Sequence, residues 1–222
     1  MDEFLKYRLR FTKTGRAVYI SHLDLMRCMQ RAFLRAGLPL KYSEGFNPHA
    51  LISILLPLPL GEESLCELMD FRLTEAVRPA DIGGKLRTAL PEGIEALGVS
   101  IPAMKGKELK YVRVEGLLAY DSLDAGGTAA RLTDFFAAKR IDVLKRGKNG
   151  ESVADIAPQI KEIGFEPAPG GVKVRAVLSA QEPTLSPELL IAALAQRAPE
   201  LEPDFHQFRR LENYTERMEL FT

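Results

Sequence analysis

The chain has 222 residues, 46% of them hydrophobic, with 30 Lys and Arg balanced by 30 Asp and Glu. That length and hydrophobic content suit one large or two small globular domains, each able to bury a core. A formal net charge of zero excludes a histone-like polycation, so a surface for an anionic partner has to come from local segregation of charge.

The first segment is a half-buried strand with a basic open face: Leu5, Tyr7, Leu9 and Phe11 alternate with Lys6, Arg8, Arg10 and Thr12. A Thr-Gly turn and Arg16 lead into the clearest helix of the sequence. Ser21 is its expected N-cap, and Asp24 three residues on makes a capping box with Asp in place of Glu. Leu25, Met29, Ala32, Phe33 and Ala36 form one apolar face. Gly37 and Pro39 end the helix. Arg27, Arg31 and Arg35 recur at steps of four on the other face, as a ridge for an anionic partner or as a plain solvated face. The loop 43–48, Ser-Glu-Gly-Phe-Asn-Pro, is rich in turn formers and carries the aromatic Phe46 at its centre.

Residues 40–42 and 51–56 read as extended, 65–74 as a third strand, 79–90 as a second helix with Pro79 in its first turn, and 94–101 as a fourth strand. A linker at 102–107 follows. The order then recurs: strand 110–120, a turn at 121–127, helix 128–138, strand 140–144, and a hairpin tip at 145–150 with an Asn-Gly turn. A short strand at 152–156, a strong strand at 172–178, a helix capped by Ser186, and a last strand at 205–213 complete the chain. Two successive β-α-β-β-α-β units imply an α+β chain of two tandem ferredoxin-like domains, 1–103 and 108–222, each with both helices on one side of an antiparallel sheet.

The helix-free sheet face would then present Lys6, Arg8 and Arg10, with Arg72, Tyr111, Arg113, Lys173 and Arg175. Cations for phosphates and rings for bases are what a single-stranded RNA platform needs; ordinary polar-out alternation gives the same pattern. His22 stands at the first turn of the Arg helix with Ser21 and Asp24, and Glu67 is expected at the same end of the sheet, so the four could form one polar cluster or simply brace a helix start. His22 and His49 are the candidate general bases if the chain cleaves RNA. No metal-ligand spacing, phosphate-binding glycine loop, dinucleotide fingerprint or hydrolase triad order is present. Cys28 and Cys66 are too few for a disulfide framework and are expected to be reduced thiols of a cytoplasmic protein. The N-terminus reads as a strand and not a signal peptide, and the longest apolar run, 50–60, is too short to cross a bilayer, so no membrane partner is expected.

The stretch from Tyr7 through the Glu67-Leu68-Met69-Asp70-Phe71 strand, with Ser21-His22-Leu23-Asp24, Gly45-Phe46-Asn47-Pro48 and Leu60-Gly61 to Glu67 as its most specific motifs, resembles the bacterial radical-SAM-linked protein family. Members of that family are fused to or encoded beside B12-binding radical SAM proteins. The resemblance implies that S-adenosylmethionine, the iron-sulfur cluster and cobalamin belong to a partner, since this sequence has no Cys-x-x-x-Cys-x-x-Cys motif. A fainter similarity is to the CRISPR repeat-RNA-processing proteins built from tandem ferredoxin-like domains, although 203–222 lacks their glycine-rich RNA clamp.

Three functions are therefore expected in competition. The first is an RNA-binding or substrate-presenting partner of a radical SAM enzyme, acting on tRNA, rRNA or a ribosomal component through Arg8, Arg10, Arg16, Arg27, Arg31, Arg35, Phe46 and Asn47. The second is a metal-independent endoribonuclease. The third is a protein-docking module that touches no nucleic acid.

Overall fold

The computed structural model describes residues 5–122, 124–147 and 150–222. Residues 1–4, Leu123 in the turn 121–127, and Lys148-Asn149 at the expected hairpin tip lie outside the described residues. The chain mixes strands with four α-helices among the described residues. It divides into two compact units, residues 1–106 with Thr222, and residues 107–221.

In the first unit the elements run β1 (Lys6–Lys13), α1 (His22–Arg35), β2 (Ile52–Ile54), β3 (Glu63–Arg72), α2 (Pro79–Ala89) and β4 (Ile94–Ser100). The sheet order is β4-β1-β3-β2 with antiparallel neighbours. Alternation decides the two faces. Tyr7, Leu9 and Phe11 stand opposite Phe71, Met69 and Glu67 on one face. There they join Leu25, Met29 and Phe33 of α1 and Ile82 and Leu86 of α2 in a continuous core. Phe33 meets Phe71 edge-on at 4.7 Å. Each such side chain removed from water is worth about 1.5–3 kcal/mol, so these residues dominate the stability of the unit.

The approach to α1 is set by a close contact. Gly93 has φ +83°, and a Cβ there would lie 2.5 Å from the Thr14 carbonyl oxygen and 2.8 Å from the Ala17 methyl. The Thr14 amide donates to the Gly93 carbonyl at 2.8 Å. The turn between β1 and α1 is thus packed against the start of β4, where only glycine fits.

The second unit runs β5 (Tyr111–Ala119), α3 (Ala125–Phe136), β6 (Asp142–Gly147), β7 (Gly150–Asp155), β8 (Ile160–Ala168), β9 (Gly171–Ser179), α4 (Glu188–Arg197) and β10 (Phe205–Tyr214). Its sheet order is β10-β5-β9-β8, again antiparallel. With β8 as second strand this repeats the order of the first unit. The sequence reading placed that strand at 140–144. Those residues instead pair with β7 in a separate two-stranded ribbon. The ribbon is pinned to α4 by Gln196, whose carbonyl accepts from the Leu144 amide at 2.8 Å. The true second strand was masked by its own composition. β8 has a register shift at its start, carries Glu162, Glu166 and Pro167, and fully buries none of its side chains; Phe165, half-buried, stacks on Phe136 of α3 at 5.5 Å. α3 starts three residues before the sequence suggests because Asp124 caps it, accepting from the Gly127 amide at 2.7 Å.

Candidate functional site

The start of α1 is a closed polar knot. The Ser21 hydroxyl accepts from the Asp24 amide at 3.2 Å and donates to the Asp24 carboxylate at 2.8 Å. Arg27 donates to the same carboxylate at 2.9 Å. The Ser21 hydroxyl and then the Arg27 guanidinium hold the Asp24 carboxyl below its ordinary pKa. Ser21, His22 and Asp24 are exposed, whereas Glu67 is 2% exposed on the face that carries Phe11. The expected four-residue cluster is therefore corrected to Ser21 and Asp24. Glu67 is turned beneath the helices because its position alternates with the outward ones on β3. His22 forms no hydrogen bond among the described residues.

Along α1, Leu23, Arg27, Arg31 and Leu34 share the outward stripe, with both leucines largely exposed. Arg35 departs from the expected ridge, because its guanidinium donates to the Ala89 carbonyl at 2.6 Å and closes the C-terminal end of α2. Arg16 and Arg10 are exposed. Arg8 is not: it is 1% exposed, its Nε and Nη2 fork onto the two Asp70 oxygens at 2.6 and 3.1 Å, and its Nη1 donates to the Thr222 carbonyl at 2.8 Å. Arg8 is thus corrected from an outward contact residue to a structural one, since a buried guanidinium persists only with its donors satisfied.

The loop after α1 is a short ribbon. The Leu51 amide donates to the Lys41 carbonyl, and the Ser43 amide to the His49 carbonyl, both at 2.8 Å. The Ser43 hydroxyl accepts from the His49 amide at 3.1 Å and lies 2.9 Å from His49 Nδ1. Gly45 at φ +118° turns the tip, and Phe46 at that tip is fully exposed, beside exposed Asn47. The base is tied to the sheet, with the Lys41 amide donating to the Arg72 carbonyl at 2.8 Å.

Beside this ribbon, on the sheet face turned away from the helices, lies a cavity of about 370 Å³. Lys6, His49, Leu51, Ser53, Asp70 and Arg72 line it. Asp70 is already engaged by Lys6 at 2.8 Å and by Arg8. Sequence reasoning had named Lys6, Arg72 and His49 separately; only the pairing of β2 with β3 brings the loop histidine to the strand cations. His22, the other candidate base, has no such surroundings.

The corresponding face of the second unit differs. Lys173 meets Glu115 at 2.7 Å, Arg175 meets Glu166 at 3.3 Å, and Arg113 meets Glu212 at 3.2 Å. Lys173 is the main reason that the Glu115 carboxyl lies below its ordinary pKa. The Tyr111 ring is covered by the Lys161 ammonium at 4.7 Å. Each of the cations expected there has a carboxylate partner, and the expected stacking ring has one face occupied.

Fold and site together define a mixed α and β chain whose first unit carries exposed cations, an exposed aromatic tip and a cation-lined cavity. The family model described as an uncharacterized protein conserved in bacteria (DUF2344) matches residues 6–187, and the chain belongs to that family. No curated protein matches the chain. No helix is long and apolar enough to cross a membrane, and no group of His, Cys, Asp and Glu among the described residues could hold a metal ion.

Proposed function

We propose that this protein is an RNA-binding or substrate-presenting partner of a radical SAM enzyme, that it handles tRNA, rRNA or a ribosomal component, and that it is built from two tandem ferredoxin-like domains. The shared order of fourth, first, third and second strand supports the fold reading, with β6 and β7 as an insertion in the second domain. The partner reading rests on the sequence resemblance, and in it S-adenosylmethionine, cluster and cobalamin belong to the other protein. The observation that carries the RNA reading is the juxtaposition in one unit of exposed cations at Arg10, Arg16, Arg27 and Arg31 with the exposed Phe46 ring. Guanidinium groups meet phosphates and an uncovered ring stacks on a base without regard to sequence.

Binding of the purified chain to total tRNA and rRNA across a salt series tests this. Affinity should fall steeply with salt, and Arg27→Glu/Arg31→Glu should weaken binding and flatten the slope. No binding at low salt would sink the RNA reading and leave the α1 stripe as a protein-docking face. One observation favours a second reading, a metal-independent endoribonuclease. His49 shares its cavity with two cations, which is the pairing of general base and phosphate contact that such cleavage needs. Intact RNA after prolonged incubation would exclude it; cleavage lost in His49→Ala with binding retained would establish it.

A further inference from the structure

We infer that the outward stripe of α1 docks one amphipathic helix of a partner protein, a helix whose apolar side chains bracket a central pair of carboxylates. The inference deepens the substrate-presenting reading above by naming the contact that holds a protein partner, and it stands whether or not the chain binds RNA.

The first support is spacing. Leu23, Arg27, Gln30 and Leu34 follow one another at steps of four, three and four, the spacing at which one helix lays a seam along another. Leu25, Met29, Ala32 and Phe33 bury the opposite side of α1. The seam is thus the side of the helix that its own unit leaves uncovered, with Leu23 66% and Leu34 80% exposed. The two leucines stand about 17 Å apart along the axis, or three turns. Ahead of Leu23, Tyr19 and Leu60 are exposed as well, and the Gly61 amide, donating to the Val18 carbonyl at 3.0 Å, sets their two segments side by side.

The second is charge. Arg27 and Arg31 stand between the leucines, and no Asp or Glu occurs from Leu25 to Arg35. Asp24, in the first turn, meets Arg27 at 2.9 Å with both side chains more than half exposed, a pair that water screens and that a docking carboxylate can share. Arg31 makes no hydrogen bond or ion pair among the described residues. Arg35 takes no part, being tied to the Ala89 carbonyl. The seam therefore asks for negative charge at its centre and apolar groups at its ends.

The same features decide between occupants. A second copy of this chain laid on the seam would set its own arginines against Arg27 and Arg31. An RNA strand would meet the arginines but leave both leucines in water, because a leucine offers a base no ring to stack on. An acidic amphipathic helix satisfies both. Three turns make a small contact, which suits an exchangeable partner. Helix and RNA meet the same guanidinium groups, so each is expected to displace the other from α1.

A phage-displayed library of helical peptides with randomised surface positions, selected against the full chain, tests the inference. Enriched peptides are expected to carry apolar residues about three turns apart with Asp or Glu between them. A synthetic peptide of the enriched sequence should bind about tenfold or more weaker to Leu23→Ser/Leu34→Ser and to Arg27→Glu/Arg31→Glu. Exchanging its acidic residues for Lys should restore binding to the arginine variant and remove it from the wild type, a rescue that a misfolded variant would not give. No enrichment, enrichment without acidic residues, or binding to the leucine variant within about twofold of wild type overturns the docking face. RNA affinity, measured in parallel, should be unchanged in Leu23→Ser/Leu34→Ser. Salt-sensitive RNA binding with no peptide enriched overturns the docking face and keeps the RNA reading; peptide binding with charge-swap rescue and no RNA binding upholds the docking face and removes the RNA reading.

Discussion

The two units have the same strand order but pair the cations of their strands differently. In the second, Arg113, Lys173 and Arg175 stand on the strands where alternation puts them, and each meets a glutamate on a neighbouring strand. In the first, Asp70 is the one carboxylate lining the cavity among the described residues, and it is engaged by buried Arg8 and by Lys6. The lesson is that alternation places a charge on a face, while cross-strand pairing decides whether that charge is left for a partner. An exposed pair is worth little to stability and still cancels the field that an RNA would feel.

The largest effect is expected at the buried pair of the first unit. Arg8→Met removes the buried fork from Asp70 and leaves it Lys6, at the half-exposed end of the pair, and should cost about 3–5 kcal/mol in a urea melt. A loss below about 1 kcal/mol would mean that Asp70 finds water, and the contrast between the units would fail. Phe46→Ala comes next, with a loss of about 1–3 kcal/mol in single-stranded RNA affinity and no change in melting temperature, because the ring covers nothing in the fold. A lowered melting temperature would instead make Phe46 a brace for the ribbon.

Ser21→Ala removes a cap and should cost about 1 kcal/mol. The same variant raises the Asp24 pKa, which an NMR titration reads directly. Because the folded pKa of Asp24 lies below its unfolded value, the stabilisation is present above the unfolded pKa and is lost as pH falls through the folded one. Ser21→Ala should therefore flatten stability against pH in the acid range only. The smallest effect is expected in the second unit, where Arg113→Ala should change stability by less than about 1 kcal/mol and leave RNA affinity unaltered.

Much of this was legible from the chain. The period of α1, its cap at Ser21 and its glycine end fixed that helix, and alternation in β1 and β5 identified the faces. What escaped did so for physical reasons. β8 is an edge strand, and its proline and glutamates hide its pattern, so the inserted ribbon of β6 and β7 took its place in the reading. Arg8 looks like Arg10 in sequence; only the register that sets it opposite Asp70 buries it. Glu67 has the same composition signal as an outward carboxylate, yet its parity on β3 points it under the helices. The cavity had no signal in the sequence, because His49 and Lys6 lie far apart along the chain and meet only through the pairing of β2 and β1 with β3.

The most direct test of the account is a paired salt series. RNA affinity would be measured from low to physiological salt for the wild type, for Arg27→Glu/Arg31→Glu in the first unit, and for Arg113→Glu/Arg175→Glu in the second. The account predicts a steep wild-type slope that flattens by about two phosphate contacts in the first variant and is unchanged in the second. Equal losses in both variants, or loss only in the second, would contradict the assignment of the RNA surface to the first unit.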